Sequence, residues 1–140
     1  MTVQRTLSGT TIGQYWITPP KLYEELDAEF HFDFDPCPYP YKKDGIEIEW
    51  GQSNYVNPPF RKKDAINGHG PTAFVRKAIE ENKKGKTVVL AIPVQSYVNM
   101  LVEAGAELRS LGRVQWIDAL TQEPTKQPSP ICAFILRGKK

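Results

Sequence analysis

Asn57-Pro58-Pro59-Phe60 follows the short apolar run Tyr55-Val56 and combines the groups that methyl transfer onto an exocyclic amine requires. Such an amine, adenine's for example, is a poor nucleophile because its lone pair is delocalised into the ring. Two hydrogen-bond acceptors on its N–H groups draw the lone pair back onto nitrogen and aim it at an electrophile. The side-chain oxygen of Asn57 is one such acceptor, and the carbonyl of Pro58 is the other. Pro58 and Pro59 fix φ and stiffen the loop, so the carbonyl keeps its aim without further ordering cost. Phe60 offers a flat apolar face on which a base taken out of its helix can stack. The same tetrapeptide also serves as a plain proline-stiffened turn, so its meaning depends on what shares its end of the fold.

Charge near the tetrapeptide is one-sided. Arg61-Lys62-Lys63 directly follow Phe60, and Lys42-Lys43 precede it by a short stretch. A net charge of +2 argues for no partner by itself. Placed beside a base pocket, however, Arg61, Lys62 and Lys63 are suited to phosphate contact. The run Lys83-Lys84-Gly85-Lys86 is instead read as a helix C-terminus, which favours cations.

Several elements must hold these residues. Residues 1–14 are polar with little periodicity and read as a flexible N-terminal arm; 15–140 read as one domain. Thr18-Pro19-Pro20 opens a helix, with Thr18 as N-cap and Leu22, Tyr23, Leu26 and Phe30 on one face. His31–Asp35 alternates as a strand, and Pro36-Cys37-Pro38-Tyr39-Pro40 takes the chain out of the sheet. Ile46–Trp50 and Tyr55-Val56 are read as short strands. Arg61–Gly70, without periodicity and with three glycine or asparagine breaks, reads as a mobile surface loop. Pro71 starts a helix that buries Phe74, Val75, Ala78 and Ile79, and Thr87–Pro93 is an apolar run typical of a strand covered on both faces. A short helix around Tyr97–Ala104 and strands at Leu108–Leu111, Val114–Asp118 and Ile131–Leu136 follow. Alternating strands and helices imply an α/β fold with a mostly parallel sheet and flanking helices. Ligands of such sheets bind at the carboxyl ends of the strands, where Asp35, Asn57 and Pro93 all fall.

The composition narrows the class. At 140 residues, 40% hydrophobic and 24% charged, the chain suits one soluble globular domain. No apolar run approaches the ~20 residues of a membrane span, so no membrane is expected, and residues 1–11 lack the apolar centre of a signal peptide. The cytoplasm is the expected location. Cys37, Cys132, His31 and His69 match no zinc spacing, and no metal is expected.

Taken in order, Trp16-x-Thr18-Pro19-Pro20, Asp33-x-Asp35-Pro36-Cys37, Asp44-Gly45-Ile46, Trp50 and Val56-Asn57-Pro58-Pro59-Phe60 make the chain similar to the phage N6-adenine DNA methyltransferase (Dam-like) family. Phe74-Val75-x-Lys77-Ala78, Ile92-Pro93, Gly112-Arg113-Val114-x-Trp116 and Pro128-Ser129-Pro130 extend the likeness over roughly residues 15–137. The resemblance implies an S-adenosyl-L-methionine-dependent enzyme acting on DNA, with a reduced Rossmann-like methyltransferase fold. It implies a catalytic set of Asn57, Pro58, Pro59 and Phe60, and a cofactor set of Trp16, Thr18, Pro19, Asp33, Asp35 and Cys37. Asp35 would pair the cofactor's methionine ammonium, with Asp33 next in line.

The chain also departs from larger methyltransferases. Their glycine-rich turn after the first strand is replaced by the proline-rich stretch, and only 22 positions separate Asp35 from Asn57, too few for the usual intervening β-α-β units. A separate target-recognition domain has no room. Two alternatives therefore stay open: methylation of another amine, in cytosine, RNA or protein glutamine, and a degenerate DNA-binding module without a cofactor site. Oligomeric state is not legible.

Overall fold

The computed structural model describes residues 16–38, 40–59, 65–125 and 128–138. The expected arm at 1–14 lies outside them. In chain order the elements are β1 (Trp16–Ile17), α1 (Pro20–Phe30), β2 (Ser53–Val56), α2 (Pro71–Lys83), β3 (Thr87–Ile92), α3 (Val98–Glu103), β4 (Glu107–Val114), β5 (Ile117–Asp118) and β6 (Ser129–Leu136). No helix among the described residues is long and apolar enough to cross a membrane.

The two most apolar strands, β3 and β6, lie side by side in a four-stranded sheet of order β2-β3-β6-β4. Side chains alternate across a strand, so each of these runs supplies both faces. Val89, Ala91, Ala133 and Ile135 pack on one side with Leu26 and Phe30 of α1. Val88, Leu90, Ile92, Phe134 and Leu136 pack on the other with Phe74, Val75 and Ala78 of α2 and Leu101 of α3. The result is helix, sheet, helix in three layers. Burying the side chain of a Leu, Ile or Phe in such a core stabilises by about 1.5–3 kcal/mol relative to exposure.

The α/β class is observed, but the pairing is mixed rather than mostly parallel. β2 and β3 run parallel, while β6 is antiparallel to both β3 and β4. A strand covered on both faces is continuously apolar whichever way it runs, so composition could not give the direction of β6. Among these strands β2, β3 and β4 thus share one direction and β6 opposes them. A smaller ribbon pairs β1 antiparallel with β5.

Three local expectations are corrected. The 31–35 segment makes one bridge, Phe34 to Asn54, rather than a full strand. Side chains replace the missing ladder: Asp27 Oδ1 accepts from Phe32 N, and Asp33 Oδ1 accepts from Gln52 N and Ser53 N. The expected strand at Ile46–Trp50 is instead a 3-10 turn at Gly45–Glu47, capped by Asp44 Oδ1 on Ile46 N at 3.1 Å. Thr18 does not cap α1, which begins at Pro20 with Pro19 at the N-cap position and no side-chain cap.

The 36–52 excursion is held down by ions. Glu81, fully buried on α2, receives Lys86 Nζ at 2.5 Å and Lys84 Nζ at 2.8 Å. The Lys86 ammonium also reaches Glu49 Oε1 and the Trp50 carbonyl, both at 2.8 Å. Burial pushes the Glu81 carboxyl up, but the lysine hydrogen bonds and charges outweigh it and bring it down to about 2. Removing one partner of such a cluster leaves the other charge uncompensated.

Glu81→Ala should lower stability by about 3 kcal/mol at pH 7, read from the denaturant midpoint. The free side chain titrates near 4.5 and the folded one near 2, so this contribution is complete above about pH 5 and disappears as pH falls towards 2. The gap between wild type and variant should close across that window. A gap independent of pH would show that Glu81 acts by packing alone.

Candidate active site

The parallel register sets the frame of the site. Phe34 lies beside Asn54, and Val56 beside Leu90. The segment ending at Asp35, the strand ending at Asn57 and the strand ending at Pro93 therefore leave the sheet along one edge. Asp35, Asn57 and Pro93 share that edge as their positions in the sequence imply.

Asn57 is only 4% exposed, and Pro58 and Pro59 are buried. Asn57 Nδ2 donates to the Trp16 carbonyl at 2.7 Å. This commits the donor end of the amide to β1 and leaves Oδ1 as the end that can receive an amine N–H. The bond also fixes the Trp16 segment against the tetrapeptide, across 41 positions of sequence. Two residues before Asn57, on the same side of β2 by strand alternation, the Tyr55 hydroxyl meets Thr18 Oγ1 at 2.5 Å in a buried pair. Burial, with the charge of Asp35 adding to it, holds the Tyr55 phenol well above its ordinary range, so Tyr55 stays neutral. Thr18 thus satisfies a buried phenol instead of capping its helix. Tyr55 escaped sequence analysis, although its i, i+2 relation to Asn57 was the signal available.

The acids of the Asp33-x-Asp35 pair separate. Asp35 leaves at the carboxyl end, where its Oδ1 accepts from Cys37 N at 2.8 Å. Burial pushes its carboxyl up to about 7 against the pull of that amide, and no cation among the described residues offsets the burial. Asp33 sits at the other end of β2 and takes the Gln52 and Ser53 amides at 3.1 and 3.2 Å. Its carboxylate packs so closely on Gly51 that a Cβ there would lie 2.3 Å from Oδ1. The Cys37 side chain is fully buried, its thiol raised by burial and next by Asp35, so it faces the core. Pro19 stays half-buried at the start of α1.

Beyond the tetrapeptide, Phe60, Arg61, Lys62 and Lys63 lie outside the described residues. The expected mobile loop does not extend to Ala65–Gly70. Ile66 is buried, and Asp44 Oδ2 accepts from Asn67 Nδ2 at 3.0 Å and pairs with His69 Nδ1 at 2.5 Å. The Glu47 carboxylate comes within 4.8 Å of these ligand atoms, but both Asp44 oxygens already carry hydrogen bonds. The Asp44 tie holds the far end of the post-tetrapeptide segment to the 36–52 excursion. It was not foreseen because its partners are more than 20 positions apart.

The family model of DNA N-6-adenine-methyltransferase (Dam) matches residues 6–139, and the chain belongs to that family. No curated protein and no solved structure matches it.

The Asp35 geometry carries a prediction of its own. The folded protein keeps a proton on this carboxyl until about pH 7, whereas an unfolded aspartate releases it near 3.8. Stability therefore falls as pH rises between those values and is level above them. Asp35→Asn, neutral throughout, should match the wild type near pH 4 and exceed it by about 1–3 kcal/mol at pH 8. Urea titrations of both proteins at the two pH values check this; parallel curves would place Asp35 in water.

Proposed function

We propose that this member of the DNA N-6-adenine-methyltransferase family transfers a methyl group from S-adenosyl-L-methionine to the N6 amine of an adenine in DNA. The observation that carries the reading is the buried Asn57 amide at the strand edge, whose donor end is tied to the Trp16 carbonyl, which keeps its oxygen as the acceptor for an amine N–H. Asn57 Oδ1 and the Pro58 carbonyl each accept one N–H of the amine, which localises the lone pair and aims it. The prolines hold this geometry before the substrate arrives, so the gain is in orientation rather than in a strong base. Phe60 stacks on the extruded base, and Arg61, Lys62 and Lys63 contact DNA phosphates. The three strands of one direction, with β6 reversed between β3 and β4, support a reduced Rossmann-like methyltransferase fold.

The residues present fit a cofactor that carries an ammonium group. At the strand edge burial raises the Asp35 carboxyl to about 7, and no described cation offsets that shift. An ammonium against it restores the charged form. Asp35 would hold that ammonium, with the Trp16, Thr18 and Pro19 segment beside it and the Cys37 amide fixing the Asp35 carboxyl, while Asp33 anchors the opposite end of β2 and stays out of the cofactor set. When bound, the cofactor supplies the electrophilic methyl group.

Incubation of unmodified DNA with labelled cofactor, followed by identification of the modified base, tests the whole reading. Label on N4-cytosine, RNA or protein instead of N6-adenine would reassign the acceptor. Absence of cofactor binding would make the protein a binding module. Asn57→Ala should lower kcat by about a hundredfold or more, because it removes an acceptor used on the reacting amine. It also releases Trp16, so cofactor affinity should weaken by a smaller factor. Cofactor affinity should rise with pH up to about 7 with release of a proton, a dependence lost in Asp35→Asn. Neutralising Arg61, Lys62 and Lys63 together should flatten the salt dependence of DNA binding; an unaltered slope would move the phosphate surface elsewhere.

A further inference from the structure

One strand over from Asn57, the same sheet edge opens into a cleft of about 440 Å³ lined by Pro93, Val94, Ser110, Arg113, Pro130 and Cys132. Its near wall at Pro93 follows the end of β3, the strand that runs parallel beside β2, and β2 ends just before Asn57. That wall is fixed, because the Tyr97 hydroxyl donates to the Pro93 carbonyl. Val94 stands at the mouth, 59% exposed.

The far wall owes its chemistry to a β-bulge. Ser110 pairs with Cys132 and Arg113 with Pro130, so three steps on β4 oppose two on β6. The extra residue falls at Gly112, whose φ of +71° suits glycine. Regular alternation would send Arg113 to the face covered by α1. The bulge instead returns Val114 to that core and puts Arg113 in the cleft beside Ser110. One guanidinium nitrogen donates to the Pro128 carbonyl at 3.2 Å, which steadies the side chain and leaves further donors.

We propose that this cleft is a second nucleotide subsite, which takes the DNA nucleotide next to the target adenine. The inference rests on the function proposed above. Pro93, Val94 and Pro130 give a base an apolar wall, Ser110 offers a hydroxyl at the base edge, and Arg113 meets the adjoining phosphate. The sheet edge shared with the tetrapeptide and the positive charge of Arg113 select a strand of nucleic acid rather than an apolar peptide. The subsite gives this fold a means of sensing sequence beside its target.

Two variants test it: Arg113→Gln, and Ser110→Trp, which fills the cleft from its wall without touching the Asn57 loop. Both are measured for thermal stability, cofactor affinity, and methylation of DNA duplexes carrying one adenine in randomised flanks. The expected result is a KM for DNA raised about tenfold in each, cofactor affinity unchanged, and a weakened preference for the base beside the adenine. Arg113→Lys should recover most of the affinity. If both variants melt like the wild type and keep its KM and its flank preference, the cleft is not a nucleotide site, and the methyltransferase reading stands. If the wild type neither binds nor methylates DNA but methylates RNA or protein, both the reading and the subsite fail.

Discussion

Everything at the strand edge depends on one pairing, Phe34 against Asn54. Phe34 N and Asp33 N donate to the Ser53 carbonyl at 3.2 and 2.9 Å, and the Phe34 carbonyl accepts from Tyr55 N at 3.1 Å. These bonds lay the first sheet segment directly on β2, with no strand between them. Asp35 and Asn57 thereby reach the same edge although only 22 positions of chain are available to connect them. A larger α/β domain would spend whole β-α-β units on that journey. Here the 36–52 excursion turns back over α2 instead, through a 3-10 turn rather than a crossover helix.

An excursion so short cannot build an apolar core of its own, and polar groups do much of its fixing. Asp44 gathers donors from Ile46, Asn67 and His69, while Trp50 Nε1 donates to the Gly45 carbonyl at 2.8 Å. Asn54 Nδ2 spans to the Gly51 and Thr87 carbonyls, and Lys86 closes the set through Glu81, Glu49 and Trp50. Buried polar groups are costly when unpaired and directional when paired. Such groups specify one arrangement of the segment where apolar contacts would allow several.

At the other flank the sheet solves a different problem. β4 is the last strand of its sheet, and an exposed strand edge invites pairing with other chains. The bulge at Gly112 breaks the regular edge and, in the same stroke, re-aims Arg113. The opposite face of β4 is closed by ions: Arg109 meets Glu29 at 2.7 Å, and Arg137 meets Glu107 at 3.1 Å, with both guanidinium groups over the Phe30 ring. Being exposed, these pairs contribute little individually, but they sort the charged side of β4 from the cleft side.

By itself the sequence determined the α/β class, the helix at Pro71, the covered strands at Thr87–Ile92 and Ile131–Leu136, and the stiff Asn57-Pro58-Pro59 turn that ends β2. These are local properties: periodicity, proline constraint and the chemistry of adjacent side chains act within a few residues. Only the tertiary structure decided the direction of β6, the tie of Asn57 to Trp16, the diversion of Thr18 to Tyr55 and the separation of Asp33 from Asp35. Each of these is a choice among partners that local sequence leaves equal. Thr18 is as good a cap as it is a partner for a buried phenol, and either aspartate is as good an acid. The choice falls to whichever polar group would otherwise be buried without a hydrogen bond, and burial exists only once distant segments have packed.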